Sequence, residues 1–225
     1  MARPNKNYEP KKEVLIKLAF DLFIEQGYEN TTITQIMKKA GLTKAGMYHY
    51  FSSKEEILDA TIHYGITQDI EKTQEYLKGL STERKMIHFI QGNTAPNEFF
   101  LKLSQIKQNN QSSYAAYRIR EQLVHAYIPV MEEILKEGVE KGIYKTEYVR
   151  PAAEFMVLYG KALVEPNILP AADHEESILR MRAFLQLVDV WFRPTPEHMA
   201  DIIAIIERTI SELGEARGME KNETD

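Results

Sequence analysis

The chain has 225 residues, with 28 lysines and arginines against 33 aspartates and glutamates, and it has no cysteine. The lack of cysteine excludes disulfide frameworks, thiolate zinc sites and cysteine nucleophiles. The longest stretch without a charged side chain, 86–97, has 12 residues, which is too short for a membrane-spanning helix of about 20 residues. The polar N-terminus does not resemble a signal peptide, so we expect a soluble cytoplasmic protein that does not use a membrane.

Positive charge is concentrated at one end of the chain. Residues 1–54 contain nine basic and five acidic side chains, a net charge of +4, although the whole chain carries −5. The other 171 residues contain 19 basic and 28 acidic side chains and carry −9. A basic end on an acidic body favours a polyanion as the partner of residues 1–54 alone.

Apolar residues recur at helical spacing along the whole chain, and no segment alternates for long enough to indicate a strand. The pattern therefore predicts an all-α fold. The predicted helices lie near 11–26, 33–40, 44–50, 53–78, 83–91, 97–110, 113–127, 129–141, 150–165, 174–193 and 196–215.

The ends of several helices are marked by capping residues. The first helix has an apolar stripe from Val14 to Phe23 and is expected to end at Gly27, because glycine accepts the left-handed backbone that closes a helix. Four helix starts carry predicted caps: Thr32 with Gln35, Ser52 with Glu55, Asp173 with Glu176, and Thr195 before Pro196.

Residues 31–58 predict two short helices joined by a tight turn. Gly41 breaks the first of them, Leu42 fills the turn and Thr43 caps the second. We expect Leu42, Met47 and Phe51 to pack the second helix against the long first helix. This is the pattern of a helix-turn-helix, whose second helix enters the major groove of DNA.

The outward side of the second short helix suits DNA. Ala45 and Gly46 lack bulk, so the helix can come close to base edges, and Lys44 can reach a guanine or a phosphate. Hydroxyl and imidazole groups that can bind phosphate oxygens come from Thr43, Tyr48 and His49. At the next helix start, the backbone N–H groups of Ser52 and Ser53 and the cation of Lys54 predict a small anion site.

The motifs of residues 10–58 resemble the DNA-binding domain of the tetracycline-repressor (TetR) family of bacterial transcription regulators. The matching runs are Gly27-Tyr28, then Thr32, Ile33 and Ile36, then Ala40 to Thr43, and finally Met47 to Lys54. Met47 stands where leucine or phenylalanine is commoner in the family, and Thr34 where a longer polar residue is frequent. Residues 134–144 are similar to the helix end that precedes the dimerising helices of the family.

The resemblance implies a helix-turn-helix DNA-binding domain over 1–54, a larger helical effector-binding and dimerisation domain over 55–217, and a flexible tail over 218–225. It implies a homodimer that binds a palindromic operator on double-stranded DNA and is released by a small-molecule effector. No cofactor, metal or catalytic residue is expected. The predicted DNA contacts are Thr32, Thr34, Gln35, Thr43, Lys44, Ala45, Gly46, Tyr48, His49 and Lys54.

The acidic body contains two helices that are apolar on nearly every side, 150–165 and 174–193. A helix of this kind has to be covered on both sides, which predicts that a second subunit packs against them or against 196–215. Polar residues set among apolar ones are candidates for the effector pocket: His88, Tyr114, Tyr117, His125 and Tyr159.

Other classes of function remain open at this point. An all-α enzyme finds little support, because the chain has no nucleophile elbow, phosphate-binding loop or dinucleotide fingerprint, and its six histidines are not spaced as metal ligands on a helix. The chain could also be an all-α module whose residues 1–54 bind another protein or an anionic membrane. Such a module would not bind DNA.

Overall fold

The computed structural model describes residues 8–91, 113–164, 174–205 and 208. Within them the regular elements are all helices, which confirms the predicted all-α class. The helices are α1 (Tyr8–Gln26), α2 (Ile33–Ala40), α3 (Lys44–Tyr48), α4 (Lys54–Leu77), α5 (Thr82–Gln91), α6 (Ser113–Glu140), α7 (Val149–Val164) and α8 (His174–Phe192). Residues 196–205 are also helical.

Two predicted segments, the helix at 97–110 and the tail at 218–225, lie outside the described residues, and so does the predicted cap residue Asp173. Of the predicted last helix, the described part begins as expected, because the hydroxyl of Thr195 accepts from the N–H of His198 at 3.4 Å. No helix in the described ranges combines the length and the apolar character needed to cross a lipid bilayer.

The prediction of a helix break at Pro129 was wrong. Helix α6 continues through this residue from Ser113 to Glu140. Proline lacks the N–H that would bond one turn back, but its ring lies on the exposed side of α6. Ile128, Val130 and Met131 around it are buried, and this packing holds the helix together across the missing hydrogen bond.

The described residues divide into two compact units. The first comprises 8–73 and 113–126, and the second comprises 74–91, 127–164, 174–205 and 208. The first unit therefore includes the start of α6 as well as the predicted DNA-binding segment. The predicted domain boundary after residue 54 remains a prediction.

The core of the first unit is built from α1 and the elements that follow it. Val14, predicted in the apolar stripe of α1, is 57% exposed, and the buried face runs instead through Leu15, Ile16, Ala19, Phe20, Leu22 and Phe23. The helices that follow α1 add Ile36, Met47, Ile57, Leu58 and Ile62, and the segment between α3 and α4 adds Phe51. Helix α2 packs on α1 and on α3, so the short helices rest on a rigid support.

The second unit has its own core. Its buried side chains come from α5, the later part of α6, α7 and α8, among them Met86, Met131, Leu135, Ala153, Met156, Val157, Phe184, Val188 and Phe192. The loop after α6 is fixed to this core, because Lys145 N–H donates to the Phe192 carbonyl at 2.7 Å and the Tyr144 hydroxyl lies 2.8 Å from His198 Nε2.

Candidate nucleic-acid interface

Helix α2 begins with the predicted capping box. The hydroxyl of Thr32 accepts from Gln35 N–H at 3.2 Å, and the side-chain oxygen of Gln35 accepts from Thr32 N–H at 2.7 Å. Two N–H groups that a helix start leaves unpaired are thereby satisfied. Both predicted DNA contacts are thus used in the cap, while Thr34 beside them is exposed.

The turn between α2 and α3 also follows the sequence pattern. Gly41 ends α2 with φ of 65°, in the left-handed region that favours glycine. Thr43 then caps α3, and its hydroxyl accepts from Gly46 N–H at 3.2 Å. Together these two residues fix the direction in which α3 leaves the turn.

Helix α3 has one buried and one exposed side. Met47 is 1% and Phe51 2% exposed, as predicted, while Leu42 is only half-buried. The exposed side is formed by Thr43, Lys44, Ala45, Tyr48 and His49, with Gly46 half-buried among them. The α-helix ends at Tyr48, two residues before the predicted end. We call Thr43, Lys44, Ala45, Gly46, Tyr48 and His49 the recognition surface.

The start of α4 differs from its predicted cap. The hydroxyl of Ser53, not Ser52, accepts from the backbone, at 3.1 Å from Glu56 N. The Glu56 carboxylate accepts from both Ser52 N–H and the Ser52 hydroxyl at 2.6 Å, and these hydrogen bonds lower the pKa of Glu56. The predicted anion site at Ser52 therefore holds an anion of the chain itself, because the carboxylate is one turn away.

The ammonium of Lys54 turns toward the end of α1. It donates to the Tyr28 carbonyl at 2.9 Å and to the Glu29 carbonyl at 3.4 Å, and it lies 4.2 Å from the centroid of the Tyr28 ring. The structure thus gives Lys54 a role inside the fold and does not group it with the recognition surface. Its predicted phosphate contact remains a prediction.

An aromatic cluster beside α3 was missed by the sequence reasoning. The Tyr8 ring stacks on Tyr50 at 5.0 Å and meets the edge of His49 at 5.4 Å. Lys12 Nζ lies 6.0 Å from the Tyr8 centroid and 5.6 Å from that of Phe51. Tyr8 precedes the predicted start of the first helix, and only the extension of α1 to Tyr8 brings its ring to the end of α3.

A bidentate ion pair joins α4 to α6 within the first unit. Arg118 donates from Nε to Asp59 Oδ1 and from Nη2 to Asp59 Oδ2, each at 2.8 Å, and Gln122 donates to Oδ1 at 3.2 Å. Tyr114, one turn earlier in α6, stacks on Tyr28 at 6.1 Å. The first turns of α6 are therefore fixed to the helices that carry the recognition surface.

The five predicted effector residues are divided between the units. Tyr114, Tyr117 and His125 belong to the first unit and have exposed side chains. His88, in the second unit, is buried against Tyr76 at a ring distance of 4.2 Å, and burial lowers its pKa. Tyr159 stacks on Phe155 and Phe184. A single pocket formed by all five remains a prediction.

No cluster of three histidine or carboxylate side chains suited to a metal occurs in the part of the chain that the structure describes. The first unit exposes a short helix that carries hydroxyl, ammonium and imidazole groups and packs through its other side on the apolar core. Such a surface can donate hydrogen bonds to phosphates and base edges.

Comparison with known proteins agrees with this chemistry. Residues 15–61 match the model of the bacterial regulatory proteins of the tetR family. The fatty acid metabolism regulator protein of Bacillus subtilis (strain 168) is 25% identical over 144 residues, which is 62% of this chain and 74% of that protein. This similarity extends well beyond the helix-turn-helix.

A shorter similarity involves a negative regulator. IcaR of Staphylococcus aureus (strain Newman), the HTH-type negative transcriptional regulator of the biofilm operon icaADBC, is 37% identical over 51 residues, covering 23% of this chain and 27% of that protein. Among solved structures, the fatty acid degradation regulator FadR from Bacillus halodurans has a TM-score of 0.52 at 20% identity, over 83% of this chain and 96% of its own. It shows the same fold.

Proposed function

We propose that the chain is a member of the TetR family of bacterial regulatory proteins, a repressor that binds a palindromic operator as a homodimer and is released by a small molecule. Its relatives are transcriptional regulators and not enzymes. It acts in the cytoplasm, where the DNA is.

The recognition surface carries the proposal. Its polar groups are exposed while Met47 and Phe51 are buried beneath them, so α3 can enter a groove without losing its packing. Ala45 and Gly46 allow close approach, and Lys44 extends beyond them to a base edge or a phosphate. Thr34, on the exposed side of α2, is placed to meet the adjacent backbone.

A second copy of the chain is the partner that the second unit requires. Helices α7 and α8 expose large apolar side chains: Leu158, Leu179, Leu187 and Val190 are 46–72% exposed. A run of exposed apolar residues of this kind is typical of a protein interface. Two-fold pairing of these helices would present two recognition surfaces, which would read half-sites about 34–36 Å apart, or further, in successive major grooves.

Repression is supported by the relative that is a negative regulator of its operon. Release would follow if the effector binds more tightly to a conformation in which the two recognition surfaces no longer fit their half-sites. The effector can shift the conformational equilibrium only by the difference between its affinities for the two conformations. Helix α4 runs from the recognition end at Lys54 to Leu77 and is the element that would carry this change.

We propose an apolar effector, and fatty acids are the first class to test. The supporting observation is the similarity to a fatty acid metabolism regulator over 62% of this chain. Fatty acids of increasing chain length should raise the thermal unfolding midpoint and weaken operator binding together, because a ligand of the native state does the first and a releasing ligand does the second. A fatty acid series that changes neither would remove this class.

Selection of bound fragments from a random DNA pool tests the function. The expected result is enrichment of one palindromic sequence by the wild-type chain and no enrichment by a Lys44→Ala, Tyr48→Ala double variant. Light scattering should give two chains in solution and on the duplex. A pool that remains random would contradict the regulator assignment, and a single chain per duplex would contradict the homodimer.

A further inference from the structure

The short length of α3 raises the question of what holds it in place. It has five residues, Lys44–Tyr48, and an isolated helix of that length is not stable in water. Thr43 caps its first turn, and Met47 anchors its buried side. After the helix, the N–H groups of Tyr50 and Phe51 donate to the Met47 carbonyl at 2.9 and 3.0 Å, and the side chains of His49 and Tyr50 have a further support.

That support comes from the first residue of α1. The Tyr8 and Tyr50 rings stack at 5.0 Å with an interplanar angle of 25°, and the His49 ring meets Tyr8 at 5.4 Å and 90°. His49 and Tyr50 themselves pack edge to face at 5.3 Å. Offset stacked and edge-to-face pairs are the favoured aromatic geometries, so the three rings restrain one another.

We propose that Tyr8 is a positioning residue for DNA binding: its ring fixes the end of α3 and thereby the orientation of His49 toward the phosphate backbone. This rests on the proposed function of the recognition surface. Tyr8 lies outside residues 15–61, where the family match is found. Its phenol acts through the packing of its ring and not through its hydroxyl.

The experiment compares three full-length variants on the operator fragment selected by the wild-type chain. Tyr8→Ala should weaken binding about threefold to tenfold for each recognition surface, as expected for the loss of aromatic pairs. Tyr8→Phe should bind like the wild type because it keeps the ring. Tyr76→Ala, which removes the ring stacked on His88 at 4.2 Å in the second unit, is the control for loss of an aromatic pair away from the recognition surface.

The variant that lacks only the hydroxyl separates positioning from direct contact. Tyr8→Ala should keep the wild-type slope of log affinity against log salt, because the change removes no cation that neutralises a phosphate. Unchanged affinity of Tyr8→Ala would overturn the proposal. A Tyr8→Phe variant as weak as Tyr8→Ala would also overturn it, since the hydroxyl and not the packing of the ring would then support binding.

Hydrogen exchange gives a test without DNA. The N–H groups of Met47 and His49 donate to the carbonyls of Thr43 and Ala45 at 2.9 and 3.1 Å. Both should exchange faster in Tyr8→Ala than in the wild type and in Tyr76→Ala, and equal rates would contradict the inference. If the wild-type chain itself selects no DNA sequence, both the proposed function and the role of Tyr8 in DNA binding are contradicted. If the wild-type chain selects an operator and Tyr8→Ala binds it equally well, only the role of Tyr8 is contradicted.

Discussion

The ammonium of Lys54 donates a hydrogen bond of 2.9 Å to the carbonyl oxygen of Tyr28 and lies 4.2 Å from the centroid of the Tyr28 ring. The first residue of α4 is thereby tied to the turn that follows α1. The Tyr28 hydroxyl, whose pKa is raised by burial and by the nearby Glu55 carboxylate, donates to Glu55 at 3.4 Å. The start of α4 is thus held from two sides.

Replacement of Lys54 tests which role dominates. Lys54→Ala should lower the free energy of unfolding by about 1–2 kcal/mol, because it removes charge-assisted hydrogen bonds to the carbonyls of Tyr28 and Glu29. Urea unfolding followed by circular dichroism measures this loss. Unchanged stability together with a shallower salt slope of DNA binding would assign Lys54 to a phosphate instead.

Lys44 is the side chain on α3 most suited to base recognition. It is exposed, and its ammonium lies 5.9 Å from the centroid of the Tyr48 ring. Lys44→Ala should reduce discrimination between operator and random DNA by about 1–3 kcal/mol if the ammonium contacts a guanine. Competition binding measures the ratio, with Lys78→Ala as the charge control in the second unit. Equal losses on both DNAs would place Lys44 on the backbone.

The pair between Asp59 and Arg118 should be energetically coupled. A double-mutant cycle with Asp59→Asn and Arg118→Gln is expected to give about 1 kcal/mol, because the geometry is bidentate and both side chains are partly buried. The same cycle on the more exposed pair of Arg150 and Glu154 serves as the control and should give a smaller coupling free energy, about 0.3 kcal/mol. Equal coupling in the two pairs would show that the first contributes no special restraint.

Gly138 leaves room for a buried tyrosine. A Cβ at this position would lie 2.0 Å from Tyr144 Cδ2, and Tyr144 cannot withdraw easily because it is buried and its hydroxyl pairs with His198. Gly138→Ala should therefore destabilise the chain by about 1–3 kcal/mol.

The matched control is Gly160→Ala in α7. A Cβ there meets no atom within 4 Å, so this change should be neutral or stabilising by up to about 1 kcal/mol. Thermal unfolding measures both variants. A Gly138→Ala variant as stable as Gly160→Ala would show that the loop after α6 can shift.

Acid should weaken the second unit through Glu137. Hydrogen bonds from Lys141 and Lys85 lower its pKa from 4.5 to about 2, and the Thr82 hydroxyl donates to it at 2.7 Å. Because the pKa of Glu137 is lower in the folded chain than in the unfolded chain, its ionised carboxylate stabilises the fold. This stabilisation is complete above pH 4.5 and is lost as the pH falls toward about 2. Glu137→Gln should remove that part of the pH dependence of unfolding, whereas Glu133→Gln, on an exposed residue of the same helix, should leave it.

The sequence was sufficient where the information is local. Capping at Thr32, the glycine turn at Gly41 and the burial of Met47 all depend on neighbours within a few positions, and all three were confirmed. The continuity of α6 through Pro129 was not predictable because it depends on the packing of the residues around the proline.

Contacts between distant residues could not be predicted. Asp59 and Arg118 are far apart in the sequence, and each resembles an ordinary charged residue on a helix surface. Tyr8 was overlooked because nothing local distinguishes it from the polar residues before it. The direction of the Lys54 side chain could not be predicted either, because the carbonyl oxygens that it binds come close to Lys54 only in the folded chain.

Methylation interference on the selected operator tests whether the recognition surface docks in the major groove. Guanines methylated at N7 carry the added group in the major groove, where the recognition surface is expected to dock. If α3 docks there in both subunits, such guanines should be excluded from the bound DNA in two segments, one in each half-site and both on one face of the duplex. Binding that is indifferent to these methyl groups, or blocked only by methylation of adenine N3 in the minor groove, would contradict it.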